Sequence, residues 1–424
     1  MKISPQRQTQ ILCLGAKGLM VAAALLAISI TAVPAAQAQS YRVLHNFTDG
    51  SDGGYPDATL TIDQGGNLYG TALLGGRANA GTVFKMTRYG SNYIFNPIYN
   101  FQGTTDGNGP WGPVTFGPDG TLYGTTIGGG YSGGEYCQGG CGVVFRLRPP
   151  ATTPPSPFTP WSESVVHAFV GRPTDGEQPL FGSLMFDAAG NLYGTTSYGG
   201  SGDFGIVYKL TPSNGSWTES VLYNFAYGDD GQEPQAGVAM DQAGNLYGTT
   251  TVGGSGGNGI VYELSPTQYG WQETVLHAFH SDDGALIYAG LVKDAAGNYY
   301  GAASDSGSGG GTIFELSPSE QGWTFTTIYR LSGGGAGGPH QNLTIDAAGN
   351  LYGAAYDDGA NGAGMVFKLS QSNGVWSLTD LHDFDFGTAY FPYGGVTLDP
   401  SGNVYGTAQN GGAYGWGVVW EITP

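Results

Sequence analysis

The chain has 424 residues, including 77 Gly and 23 Pro, with 13% aromatic content and a formal charge of −19. Such acidity repels phosphate backbones and anionic lipid heads, which excludes nucleic-acid binding. Glycine and proline at this level approach the composition of disordered chains, but the aromatic share and the fixed glycine spacing point to an ordered fold whose glycines punctuate strands.

Residues 1–38 read as a signal peptide. Lys2, Arg7 and Lys17 form a positive n-region, residues 18–33 are uncharged and largely apolar, and Ala36-Gln37-Ala38 is an A-x-A cleavage site. Sixteen apolar residues are short for a membrane span, and no second run of spanning length follows. The mature chain is therefore expected to begin near Gln39, without a transmembrane anchor, as a secreted, periplasmic or cell-surface protein of a bacterium.

From residue 39 onward one short phrase recurs seven times around Tyr69, Tyr123, Tyr193, Tyr247, Tyr300, Tyr352 and Tyr405. Their spacings are 54, 70, 54, 53, 52 and 53, a single period with one insertion in the second copy. Periods of this length, built from short strands and glycine turns, indicate a propeller or solenoid, and no one copy buries its own apolar faces. The fourth copy shows the unit: runs at 236–240, 246–250, 260–265 and 273–279, the first two joined by Asp241-Gln242-Ala243-Gly244-Asn245. Four β-rich runs with tight turns predict an antiparallel meander.

Counting the runs predicts how the ring closes. Fourth-type strands fall at 41–47, 94–101, 163–169, 219–225, 273–279, 325–331 and 378–384, the first of them before any first-type strand, whereas the chain ends on a third-type strand at 418–424. Residues 41–47 are expected to complete the last blade and remove its free edge. The prediction is an all-β, seven-bladed propeller with four antiparallel strands per blade, formed as one domain by residues 39–424.

The phrase Asp-x-x-Gly-Asn-Leu-Tyr-Gly-Thr-Thr, followed by Gly-Gly, by Gly-Ile-Val-Tyr-Lys-Leu-Thr-Pro and by Val-Leu-His-x-Phe, resembles the GloVer tandem-repeat family of exported bacterial proteins, the choice-of-anchor repeat proteins. The resemblance covers essentially the whole mature chain. It implies export and a repeat scaffold, and it implies no defined activity. Many members carry a C-terminal sorting anchor; none is expected here, because the chain ends on a blade strand.

Cys137 and Cys141 are expected to form a local disulfide, since export permits one. Closing so short a loop stabilises by only about 2 kcal/mol. Free thiols and a redox or metal role are the alternatives, and no His or further Cys lies at ligand spacing. His45, His167, His277 and His382 share a fourth-strand slot with Tyr99, Tyr223 and Tyr329, which suggests half-buried rings with a hydrogen-bonding tip. Asp63, Asp187, Asp241, Asp294, Asp346 and Asp399 read as turn caps, with Gly117 in that place in the second copy. Asp52, Asp106, Asp175, Asp230 and Asp283, each before Gly, read as turn formers or as contacts to calcium or a ligand. Lys293 replaces an apolar first-strand residue and is either a snorkelling side chain or a functional charge. Residues 149–160 read as an extended proline-rich spacer on the face opposite the long loops.

No zinc triad, EF-hand, P-loop, nucleophile elbow or kinase signature occurs, so no catalytic residue, metal site or cofactor is predicted. The candidate ligand site is one column at the start of each first strand: Asp57, Trp111, Phe181, Gln235, Tyr288, His340 and Tyr393. These residues vary where the frame is constant, and first strands converge on the axis, so they are expected to ring the channel mouth on the loop-rich face. Rings with a few polar groups suit sugars; the alternative is a set of unrelated plug residues. The leading expectation is a non-catalytic exported binding or scaffold module, favoured as a monomer, for an extracellular polysaccharide or protein. A carbohydrate-active enzyme is the rival and would need a second acid beside Asp57; a structural matrix component is the third reading.

Overall fold

A computed structural model describes residues 39–131, 137–151, 161–307, 309–333 and 337–424. Most of the 149–160 spacer and residues 1–38 lie outside the described residues, as does part of the long loop of the second copy. Seven four-stranded antiparallel sheets account for the repeats, and the described residues contain no helix. Blade 1 consists of Thr61–Ile62, Leu68–Ala72, Thr82–Tyr89 and Asn92–Asn100. Blades 2 to 6 repeat this order, and blade 7 combines Thr397–Leu398, Val404–Ala408 and Val418–Thr423 with the N-terminal Ser40–Asn46.

The ring closes as the strand count requires. Ser40 pairs with Thr423 and Asn46 with Val418, with a bulge between Val43 and His45. The other blades place a bulge at the equivalent point, for example at Val83/Phe84 and Val366/Phe367. The N-terminal strand thus reproduces an ordinary fourth strand down to its irregularity.

Two local devices explain the repeated phrase. In the first turn, the Asp63 carboxylate accepts bonds from the backbone N–H groups of Gly65 and Asn67, from the Asn67 amide and from the Tyr69 hydroxyl at 2.8–3.0 Å. Asp187, Asp241, Asp346 and Asp399 bind the same four groups of their own turns. The glycine after the repeat tyrosine faces an aromatic ring on the third strand, and a Cβ at Gly70 would lie 2.5 Å from Phe84.

The cores lie between blades. One buried cluster joins Tyr69, Val83 and Phe101 of blade 1 to Leu122, Val143 and Phe145 of blade 2, and another joins Phe47, Tyr405 and Val419 to Leu60, Leu68 and Phe84. Threonine hydroxyls add hooks from blade to blade: Thr71 donates to Gly112 O, Thr195 to Ala236 O, Thr249 to Ala289 O and Thr407 to Ala58 O.

Candidate functional site: the axial mouth

The loop from each fourth strand to the next first strand is pinned to the loop between second and third strands of the same face. Short pairs do this, such as Gly176–Glu177 with Tyr198–Gly199 and Ala389–Tyr390 with Asn410–Gly411. Five of these loops then turn through a left-handed non-glycine residue: Tyr55, Gln178, Glu233, Leu286 and Phe391 have φ between 54° and 60°. Non-glycine side chains in that region are uncommon and gather at functional sites. Two or three residues later the chain reaches the column predicted from the sequence.

Close backbone approach follows one step further in. A Cβ at Gly237 would sit 2.1 Å from Ser183 O. Gly290 N donates to Asn342 Oδ1 at 2.7 Å and Gly395 N to Thr59 Oγ1 at 2.9 Å.

Five of the seven column residues meet in one cluster. Ring centroids are 4.7 Å apart for Trp111 and Phe181, 5.3 Å for Phe181 and Tyr393, 4.6 Å for Tyr393 and His340, and 5.0 Å for His340 and Tyr288. Phe181 belongs to blade 3 and Tyr393 to blade 7, so their contact crosses the axis. The rings therefore cover the axis rather than bordering an open hole, because seven converging side chains leave no room for a pore once most are aromatic. Phe181 is buried, whereas Trp111, Tyr288, His340 and Tyr393 are half-buried and present ring surface to solvent.

Asp57 and Gln235 complete the column as buried polar groups. Burial lifts the Asp57 carboxyl from its ordinary 3.8 to about 7, restrained by the neighbouring Gln409 and Trp111. Gln409 and Trp111 act on the carboxyl, but no hydrogen bond of good geometry reaches either Asp57 oxygen or leaves Trp111 Nε1. Gln235 lies beside Glu233, whose carboxyl is raised by burial and acts in turn on Tyr288.

Glu233, Tyr356, Phe391 and Gln409 were not in the predicted column. Tyr356 stacks on His340 at 4.9 Å and on Phe391 at 4.5 Å. Glu233 and Phe391 occupy the left-handed position, and Tyr356 and Gln409 the residue four after the repeat tyrosine. That last position also holds Leu73, Ile127, Ser197, Thr251 and Ser304, so its variability beside a constant Tyr-Gly was a usable signal.

Other candidates resolve structurally. The histidine slot and the Asp-Gly set form one device: His45, His167 and His277 reach Asp52, Asp175 and Asp283 at 3.0–3.1 Å, and Tyr99 and Tyr223 reach Asp106 and Asp230. His382 instead stacks on Tyr41 at 3.9 Å. Lys293 is exposed, with Nζ 4.9 Å above the ring of its cross-strand partner Tyr299. Cys137 and Cys141 are joined as a disulfide. His167, Asp175 and Glu219 bring ligand-type atoms within 4.8 Å of one another, an arrangement that restates the His–Asp device with a neighbouring glutamate. On the opposite face a cavity of about 860 Å³ opens between the first turns of blades 1, 6 and 7. Its Asp63, Asp346 and Asp399 are saturated by their own turns, which leaves shape without free acceptors converging on it.

The model of the Gloeobacter/Verrucomicrobia repeat matches residues 30–156, 133–333 and 304–424. A search of curated proteins finds no match. Among solved structures, a polysaccharide lyase of family PL25, an ulvan lyase bound to -[GlcA(1-4)Rha3S]-, is 10% identical over 88% of this chain and 94% of its own, with a TM-score of 0.50. A protein with a provisional gluconolactonase assignment is 12% identical over 91% and 92%, with a TM-score of 0.45. A provisionally assigned glucose dehydrogenase of Thermus thermophilus is 16% identical over 91% and 100%, with a TM-score of 0.43. At these identities the likeness is one of fold.

Proposed function

The chain belongs to the Gloeobacter/Verrucomicrobia repeat family, and from that premise we propose that it is an exported propeller that binds an extracellular glycan at the axial mouth, without chemistry of its own. The observation that carries this reading is the cluster of half-buried rings over the axis, backed by the buried polar groups Asp57 and Gln235. Sugar rings have apolar faces that lie flat on aromatic side chains, and a few placed polar groups fix their orientation. Export fits the Cys137–Cys141 disulfide and the leader-like residues 1–38. No helix among the described residues is long and apolar enough to cross a membrane.

One observation favours a second reading. Asp57 and Glu233 are two carboxyls at the mouth, on the loops leading into blades 1 and 4, both raised by burial, and a carboxyl of raised pKa can serve as general acid or base in a carbohydrate-active enzyme. The binding reading is preferred because it uses the whole column, whereas the enzyme reading uses one of its members, Asp57, and a glutamate outside it.

A glycan panel screened with the purified protein tests both. Trp111→Ala and Tyr393→Ala should each weaken capture of any bound glycan at least tenfold with little change in Tm. A ligand mapped to the opposite face would refute the site. Time-dependent shortening of a bound glycan, lost in Glu233→Gln, would establish the enzyme reading instead.

A further inference from the structure

The mouth contains a buried carboxyl group that the protein meets with neutral groups alone. Asp57 is 1% exposed, and neither oxygen completes a hydrogen bond. The influences acting on it are burial and two neutral groups, Gln409 and Trp111, with no cation among them. Burying a carboxyl without a partner is costly, and such groups persist where they serve a ligand. A carboxylate also accepts from the hydroxyls of a neutral sugar; what a neutral sugar does not supply is the opposite charge that a carboxyl buried without a cation lacks.

The surroundings of Asp57 suit one kind of charge. Trp111 faces it directly, and the carboxyl acts electrostatically on Tyr356 and Tyr393. Trp111 and Tyr393 stand 6.2 Å apart, and Tyr356 and Tyr393 5.6 Å apart, all three half-buried. The faces of aromatic rings attract organic cations, most strongly where water is excluded. The chain as a whole, at −19, draws cations towards it.

From this arrangement we infer that the axial mouth recognises an ammonium group carried by an amino-sugar residue of a glycan. Asp57 supplies the counter-charge, and Trp111, Tyr356 and Tyr393 form the aromatic wall. The inference rests on the glycan reading for the rest of the ligand and adds its charge. It also sets a pH dependence. With burial holding the empty-site carboxyl protonated up to about 7, cation affinity rises as pH climbs through that value. Tyr356 and Tyr393, on which the Asp57 carboxyl acts, are pushed above their ordinary 10 and stay neutral in this range; His340, which touches both rings, is the further titratable group of the cluster.

Calorimetry with the β-linked trimer of glucosamine, its fully N-acetylated counterpart and choline tests the assignment. The free-amine trimer should bind at least tenfold tighter than the acetylated one near pH 7, its affinity falling at lower pH as Asp57 protonates and at higher pH as the sugar amines lose their protons. Asp57→Asn should abolish that preference while Tm holds or rises. Choline binding without binding of the amine trimer would overturn the amino-sugar assignment. Equal affinity for the two trimers, or indifference to Asp57→Asn, would overturn the inference and leave the glycan reading standing. Absence of binding to every member of the glycan panel would instead refute that reading.

Discussion

At the scale of single residues, the repeat phrase is a set of steric and hydrogen-bonding requirements. Gly248 shows the steric one. It pairs with Tyr262 across the sheet, and an added Cβ would meet that ring at 2.3 Å from the hydroxyl and 2.5 Å from Cζ. Tyr262 is fully buried, so it has little room to yield. Gly248→Ala should lower stability by about 1–3 kcal/mol, the usual cost of overpacking. Chemical denaturation of Gly248→Ala, Tyr262→Leu and the double variant checks the cause: the double should lose less than the sum of the singles. Additive losses would show that the ring is not what excludes the methyl group.

At the scale of elements, the fourth strands and the turns between first and second strands carry opposing pH responses. Burial, then the nearby carboxyls of Asp106, Asp175 and Asp230, lift Glu163, Glu219 and Glu273 from their ordinary 4.5 to about 7. A folded-state value above the unfolded one means that the stabilisation is complete below about pH 4.5 and is lost as pH rises through 7. The turn aspartates behave in the opposite sense. Burial would raise Asp63, Asp187, Asp241 and Asp346, but hydrogen bonds from their Asn, Tyr and backbone partners outweigh it and hold them below 3.8. Their contribution is present above about pH 4 and disappears as pH falls further. Thermal melts should therefore show declining stability on both sides of pH 4–5. Replacing Glu163, Glu219 and Glu273 with Gln should raise stability at pH 8 by roughly 1 kcal/mol each after solvent screening at these partly exposed sites. The same variants melted at pH 4.5 should match the parent, and a gain there equal to that at pH 8 would refute ionisation as the cause.

At the scale of the whole molecule, stability depends on closing the circle. Each core is shared between adjacent blades, so an open ring leaves apolar surface on two blades at once. Ser40–Asn46 covers the edge of Val418–Thr423, and Phe47 just beyond it is buried in the cluster that joins blade 7 to blade 1. Deleting residues 40–47 should sharply lower Tm and produce association through the exposed edge. A truncated chain that keeps the parent's Tm and its elution volume in size-exclusion chromatography would refute the clasp as a source of stability.

The architecture was legible in the sequence because it is written seven times. A strand count out of phase at the two ends settled closure before any coordinate, and the spacing of Asp, Gly, Asn and Tyr settled the first turn. The axial column was legible for a related reason: residues that vary inside a constant frame stand out. What the sequence left open was distance across the ring. That Phe181 of blade 3 touches Tyr393 of blade 7, that the rings cover the axis, and that Asp57 is buried beside Trp111 with its oxygens unpaired depend on seven blades meeting at once. Tyr356 and Glu233 belong to other columns, and that they join the mouth likewise depends on the meeting of the blades, although the variability of the Tyr356 position was itself visible. The repeat period determined the blade, and the convergence of seven blades on one axis determined the site.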